Sequence, residues 1–259
     1  MLINTPLIDY FGNSINLEGY LTTLDDSKDN RTTNNTKRNS LVIFAHGSGS
    51  SKDSPRNQYL SKKLNENGIA TFLFDLLTKE EQESDKKVEK IQQQVPGLTL
   101  NKFNISLLSD RLIKVTDYVM QQIPKFQDRT INVGYFGAST GVAASLYASG
   151  KLNEANSSIW IKAIVSRGGR PDLLSSFLIS NNNYFNKDII ENIKKIPILF
   201  IIGQKDKLVL DWIKKFIKNY KLIDKFNIDI VKDASHLFEE KDALEKVGEI
   251  AVRWFIQHL

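Results

Sequence analysis

The stretch INVGYFGASTGVAASLYAS (131–149) decides the fold. Its opening, Ile131 to Phe136, is β-branched and aromatic and reads as a strand. From Thr140 onward the small and apolar residues read as a helix. Between them stands Gly137-Ala138-Ser139-Thr140-Gly141, a G-x-S-x-G pattern. A chain that passes from strand to helix this sharply has no room for larger side chains two residues before or after the serine. The turn lifts the Ser139 hydroxyl clear of the sheet and aims the first N–H groups of the helix at the same spot. Chance alone puts such a triplet of fixed residues into about one chain in ten of this size. The placement between strand and helix therefore carries the weight, against the alternative of a tight turn with no chemistry.

The same alternation extends outward in both directions. Leu41–Ala45, Ala70–Asp75, Ile159–Val165, Ile196–Ile202 and Phe226–Val231 are short runs, mostly apolar rather than alternating, as expected of strands covered on both faces. Helical patterns span 57–67, 106–122, 140–149, 211–220 and 242–258. Two further strands, Pro6–Phe11 and Ile15–Thr22, flank Gly12-Asn13, which reads as a hairpin turn. The expectation is one α/β domain over residues 1–259, with a mostly parallel sheet of about eight strands and helices on both faces. Residues 25–40 contain no aliphatic side chain and are expected to form a polar loop with the composition of a mobile one. The charged segment 79–90 reads as a surface helix or an excursion before Pro96-Gly97. Residues 167–195 leave room for one helix and some loop but for no large cap domain.

Composition narrows the chemistry. The 259 residues include no cysteine, which removes disulfides, thiolate metal sites and cysteine nucleophiles. Only three histidines are present, too few for a multi-histidine metal centre. The net charge of +5 is spread along the chain, which argues against a nucleic-acid partner. The densest lysines (Lys214, Lys215, Lys218, Lys221, Lys225) fit the solvated face of an amphipathic helix. The longest apolar run, Ile196–Ile202, is too short to span a bilayer, and the N-terminus lacks a basic leader region. A cytoplasmic protein without membrane association is expected.

A serine hydroxyl needs a base near neutral pH. His258 is the penultimate residue and reads as an exposed terminal side chain; His46, beside Gly47 and Gly49, reads as loop-shaping. His236 follows the last strand in a loop at the edge where open α/β sheets bind ligands, and is the best base. Asp206, just past Ile196–Ile202, is favoured as the acid that orients it. Its rivals are Asp211, explicable as a helix-start residue, and Asp233, too near His236 to face it readily. The order Ser139, Asp206, His236 is that of the α/β-hydrolase fold. For an oxyanion, the N–H groups of Thr140 and Ser48 are the expected donors, with Gly49 next in line on the small-residue loop HGSGSS (46–51). That loop matches neither the Walker A nor the dinucleotide fingerprint. Arg167 and Arg170 follow a strand toward the same edge. One of them could bind a substrate carboxylate or phosphate, while the competing role is a brace on Asp172.

Together, AHGSGSSKDSPRN (45–57), FDLLTKEE (74–81), GASTG (137–141), VSRGGRPDL (165–173), IIGQKD (201–206) and ASHLFEE (234–240) resemble the dienelactone-hydrolase-like branch of the α/β-hydrolases. The resemblance runs from about residue 41 to the C-terminus. It implies a Ser139–Asp206–His236 triad, hydrolysis of a small-molecule ester, and no metal or cofactor. The chain departs from the founding dienelactone hydrolases in carrying serine where they use cysteine, which argues against dienelactone as substrate. Thioester hydrolysis or acyl transfer with the same residues, and a non-catalytic binding module on this fold, are the alternative readings.

Overall fold

The computed structural model describes residues 1–9, 12–23, 39–92, 98–122, 131–154, 158–180, 186–222 and 225–259. Among these residues eight strands form one sheet: β1 (Leu2–Ile8), β2 (Ser14–Thr22), β3 (Ser40–Ala45), β4 (Ala70–Phe74), β5 (Asn132–Ala138), β6 (Ile161–Arg167), β7 (Ile198–Gly203) and β8 (Phe226–Val231), in the order β1-β2-β4-β3-β5-β6-β7-β8. β1, β2 and β4 pair antiparallel, and every pairing from β4 through β3 to β8 is parallel. The helices are α1 (Pro55–Glu66), α2 (Lys79–Ile91), α3 (Ile105–Gln122), α4 (Thr140–Leu152), α5 (Pro171–Ser180), α6 (Asn186–Ile193), α7 (Lys207–Tyr220) and α8 (Ala243–His258). Among the described residues no large cap sits over the sheet. Among the described residues no helix is long and apolar enough to cross a membrane.

The central strands are apolar throughout because both faces are covered. Ile43, Tyr135, Ile164 and Phe200 point toward α3, α4, α6 and α7, while Val42, Phe44, Phe136 and Val165 point toward α1 and α8. Phe44 stacks on Phe136 with ring centroids 4.8 Å apart, joining neighbouring strands on the second face. Burying each such side chain contributes roughly 1.5–3 kcal/mol. The two layers hold the carboxyl ends of the parallel strands level.

Several boundaries differ from expectation. β1 begins at Leu2 rather than Pro6, because its ladder with β2 starts at Leu2↔Tyr20 and buries only Thr5 and Leu7, leaving no hydrophobic run to mark it. The turn is tied by the Asp9 carboxylate, which accepts the Asn13 N–H at 2.8 Å, and Gly12 takes a φ of +83°. Of the polar loop expected over 25–40, residues 25–38 lie outside the described residues and Ser40 already opens β3. The charged segment is a helix, α2, started by a capping box between Thr78 and Glu81. Among the described residues two helices, not one, stand between β6 and β7. The second, α6, seats Ile189 against Gly150 of α4.

Candidate active site

Parallel strands end at one edge, and the loops after β3, β5, β6, β7 and β8 converge there. They bring Ser139, Asp206 and His236 from distant parts of the chain to one edge of the sheet.

Ser139 joins β5 to α4 at φ 48°, ψ −119°, a conformation that residues with a side chain rarely adopt. Such backbone strain costs of order 1–3 kcal/mol and persists only where the surroundings enforce it. Here the Ser139 N–H donates to the Arg167 carbonyl at 3.3 Å, and the Ser139 carbonyl accepts the Arg170 N–H at 3.0 Å. A Cβ on Gly141 would lie 2.0 Å from the Ala45 carbonyl oxygen, so the helix can start this close to β3 only with glycine. Gly137 is confined in the same way by the Val142 backbone, at 2.8 Å.

The small-residue loop after β3 lies against this turn. Gly47 approaches so closely that a Cβ there would be 2.9 Å from the Ser139 Cβ, and Ser48 and Gly49 line the same cavity as Ser139. Thr140 is buried at the first turn of α4. His46 holds the loop in place. Its Nε2 accepts the Leu76 N–H at 3.0 Å, so Nδ1 carries the proton and donates to the Gly47 carbonyl at 2.9 Å. Burial pushes this imidazole below its ordinary pKa and keeps it neutral. Farther along, buried Lys52 binds Asp75 through both its backbone N–H, at 2.7 Å, and its ammonium, at 2.8 Å.

His236 lies across the cavity, with Nδ1 2.5 Å from Asp206 Oδ2. That bond leaves Nε2 as the ring nitrogen free to serve a neighbour. The imidazole is 41% exposed and the Asp206 side chain 11% exposed. Asp206 is also the N-cap of α7, its Oδ1 accepting the Val209 N–H at 3.4 Å. Gly168, at φ +53°, runs beside the imidazole, where a Cβ would sit 3.2 Å from Cε1. The loop itself is braced by the Glu240 carboxylate, which accepts the Ser235 N–H at 2.9 Å, and by Gln204, which accepts the Asp233 N–H at 2.9 Å. Asp233, Phe238 and Asp242 all take positive φ there.

Ser139 and His236 share a cavity of about 170 Å³ with Ser48, Arg56 and Arg167. A larger one of about 520 Å³ adjoins it across residues 47–50, and Thr140, Leu76, Leu108 and the α2 side chains Gln82 and Lys86 line it. α2 is fixed there from within. Glu81 pairs with buried Arg111, and Asp85 accepts the Asn101 and Lys102 N–H groups at 2.7 and 2.9 Å. The two expected arginines part company. Arg170 pairs with Asp172 at 2.7 Å and lies over the Trp212 ring at 3.9 Å. Arg167 lines the small cavity, 8% exposed, and its Nη1 has no hydrogen-bond partner among the described residues. Burial, reinforced by the charge of Arg56, pushes its pKa down to about 10.

The rival acids fall elsewhere. Asp211 lies one turn inside α7, which starts at Lys207 rather than at Asp211, and the Asp233 N–H faces Gln204. His258, expected to be exposed, is half-buried and packs on Trp254 at 4.2 Å, away from both cavities. The lysines Lys214, Lys215, Lys218, Lys221 and Lys225 are all exposed. Arg56 is the site residue that sequence reasoning passed over. The available signal was its position in the first turn of α1, where the helix dipole disfavours a cation.

No protein-family profile matches the chain. It is 39% identical over 223 residues, 86% of its length, to two Mycobacterium tuberculosis proteins named "putative phosphoribosyl transferase", and it spans 42% of the length of each. Among solved structures, a dienelactone hydrolase from Anabaena variabilis is 33% identical, with all of this chain and 97% of that one covered at a TM-score of 0.75. Est1E from Butyrivibrio proteoclasticus shares the fold at 16% identity, with 98% of each chain covered and a TM-score of 0.65.

Proposed function

The chain belongs to the dienelactone-hydrolase branch of the α/β-hydrolases, and from that membership we propose that it is a serine hydrolase cleaving small carboxylic esters through an acyl-enzyme on Ser139. The observation that carries this reading is the shared cavity of Ser139 and His236, with His236 Nδ1 committed to Asp206 at 2.5 Å.

In the proposed mechanism Ser139 Oγ attacks the carbonyl carbon while His236 Nε2 takes its proton. Asp206 keeps the imidazole in the tautomer that leaves Nε2 free and stabilises the imidazolium. The N–H groups of Thr140 and Ser48 receive the oxyanion, and each such donor is worth about 10²–10³ in rate. His236 then returns the proton to the leaving alcohol and activates the water that frees the acid. The small cavity suits a compact group next to the scissile bond, and the larger one, with Leu76 and Leu108 in its wall, suits the rest of the substrate. Phosphoribosyl transfer, in the name of the mycobacterial relatives, is not carried over, because the chain spans 42% of their length.

The test is labelling by a fluorophosphonate, in parallel with hydrolysis of p-nitrophenyl esters of rising chain length. Wild type should label and turn over, and Ser139→Ala should do neither while retaining its far-ultraviolet dichroism. A folded wild-type protein that neither labels nor hydrolyses any ester would overturn the reading in favour of a binding module.

A further inference from the structure

Among the described residues, the lining of the cavity over Ser139 includes two arginines and no acidic side chain. Arg167 is more than nine-tenths buried, and its Nη1 meets no acceptor among the described residues. Buried guanidinium groups are ordinarily paired, so a partnerless one in the wall of a cavity marks a place for an anion. Arg56 supplies the second charge. Its Nη1 donates to Glu239 at 3.0 Å, while its Nε is buried without a partner among the described residues. Arg56 also stands in the first turn of α1, whose N-cap Ser54 makes no side-chain cap and whose first turn holds no acid. No side chain of that first turn or its N-cap answers the positive end of the helix.

Two like charges this close repel, and a single carboxylate offsets only one of them. A phosphate monoester carries about −1.5 to −2 at neutral pH and offers three acceptor oxygens, enough for two guanidinium forks. We propose that Arg167 and Arg56 form a subsite for a phosphate group carried by the ester substrate close to its scissile carbonyl. The small volume, about 170 Å³, keeps that phosphate near the carbonyl rather than at the end of a long chain. This assignment of substrate class rests on the serine-hydrolase reading for its chemistry, although the anion subsite stands on the arginines alone.

Inorganic phosphate is the probe. At about pH 7.5, where it is mainly dianionic, it should bind Ser139→Ala in calorimetry and compete with p-nitrophenyl acetate in wild type. Acetate at equal ionic strength should do neither. Arg167→Met should weaken phosphate binding roughly tenfold or more. Arg56→Gln, at a half-exposed position where folding is secure, should weaken it several-fold. Phosphate binding without ester turnover would uphold the subsite and sink the hydrolase reading. Ester turnover without phosphate binding would do the reverse. Acetate competing as well as phosphate, or unchanged phosphate binding in both arginine variants, would overturn the subsite.

Discussion

Ser139 stands on a wall of packed main chain, and His236 on a loop braced by side chains. Around Ser139 the contacts are backbone against backbone: Gly141 on the Ala45 carbonyl, Gly47 on the Ala138 carbonyl, and the Arg167 and Arg170 peptides bonded to the turn. Around His236 they are carboxylates and amides, from Asp206, Glu240 and Gln204, and the imidazole is 41% exposed. The first wall specifies geometry through what cannot fit; the second specifies it through bonds that can be loosened one at a time. Substitutions should accordingly fail abruptly on the first wall and by degrees on the second.

The sharpest case is Gly141→Ala. The added methyl meets the Ala45 oxygen at 2.0 Å and the Ala45 carbon at 2.6 Å, both backbone atoms that cannot swing aside. Overpacking of this kind should destabilise by about 3 kcal/mol or more, roughly 6–12 °C in melting temperature, and abolish ester turnover. Near-native melting and turnover would break the contrast at its strongest point. On the other wall, Asp206→Asn should lower kcat by about 10⁴. Asparagine still caps α7, so melting should move by less than about 1 kcal/mol. Activity and stability thus separate at Asp206 and fall together at Gly141.

The same division explains what could be read in advance. Strands, helices and the turn at Ser139 were legible because sterics restrict which residues fit: apolar runs under two helical layers, and glycine at positions 137 and 141. His236 and Asp206 could be placed at the right edge because parallel strands end together. The braces were not legible. Glu240 and Gln204 are ordinary surface residue types whose roles depend on tertiary approach. The three positive-φ positions Asp233, Phe238 and Asp242 have no glycine to announce them. Arg167 ends β6 and Arg170 follows three residues later, and sequence alone could not say which would find Asp172 and which would be left in the cavity.

Arg167 stands in the packed wall with a buried nitrogen that has no partner among the described residues and a cavity beside it, and it makes a third test. Its pKa is pushed down to about 10 by burial and by Arg56, so the unfolded chain holds the proton more tightly than the folded one. Stability should therefore rise as pH climbs through 10, and below 10 the charge is a burden on the fold. Arg167→Met should raise stability at neutral pH by about 1–3 kcal/mol, seen in thermal melts, even as it removes phosphate binding. A lower melting temperature would mean that the guanidinium is satisfied in the folded protein.

The mildest change should come from Glu240→Gln on the braced wall. Glutamine keeps an acceptor for the Ser235 N–H and loses only the charge, so kcat should fall about three- to tenfold, with KM little changed. The Ser235 N–H, bonded to the charged carboxylate, holds Glu240 below the usual carboxylate range, with Lys205 a smaller contributor. A depressed acid of this kind adds stability above its unfolded pKa and loses it as pH falls through the folded value. The wild type should consequently lose melting temperature more steeply than Glu240→Gln at acid pH, below about 4. If the variant instead lost activity as completely as Gly141→Ala, the His236 loop would be as rigidly determined as the turn at Ser139. Equal acid slopes in the two proteins would mean that Glu240 holds the loop through shape rather than charge.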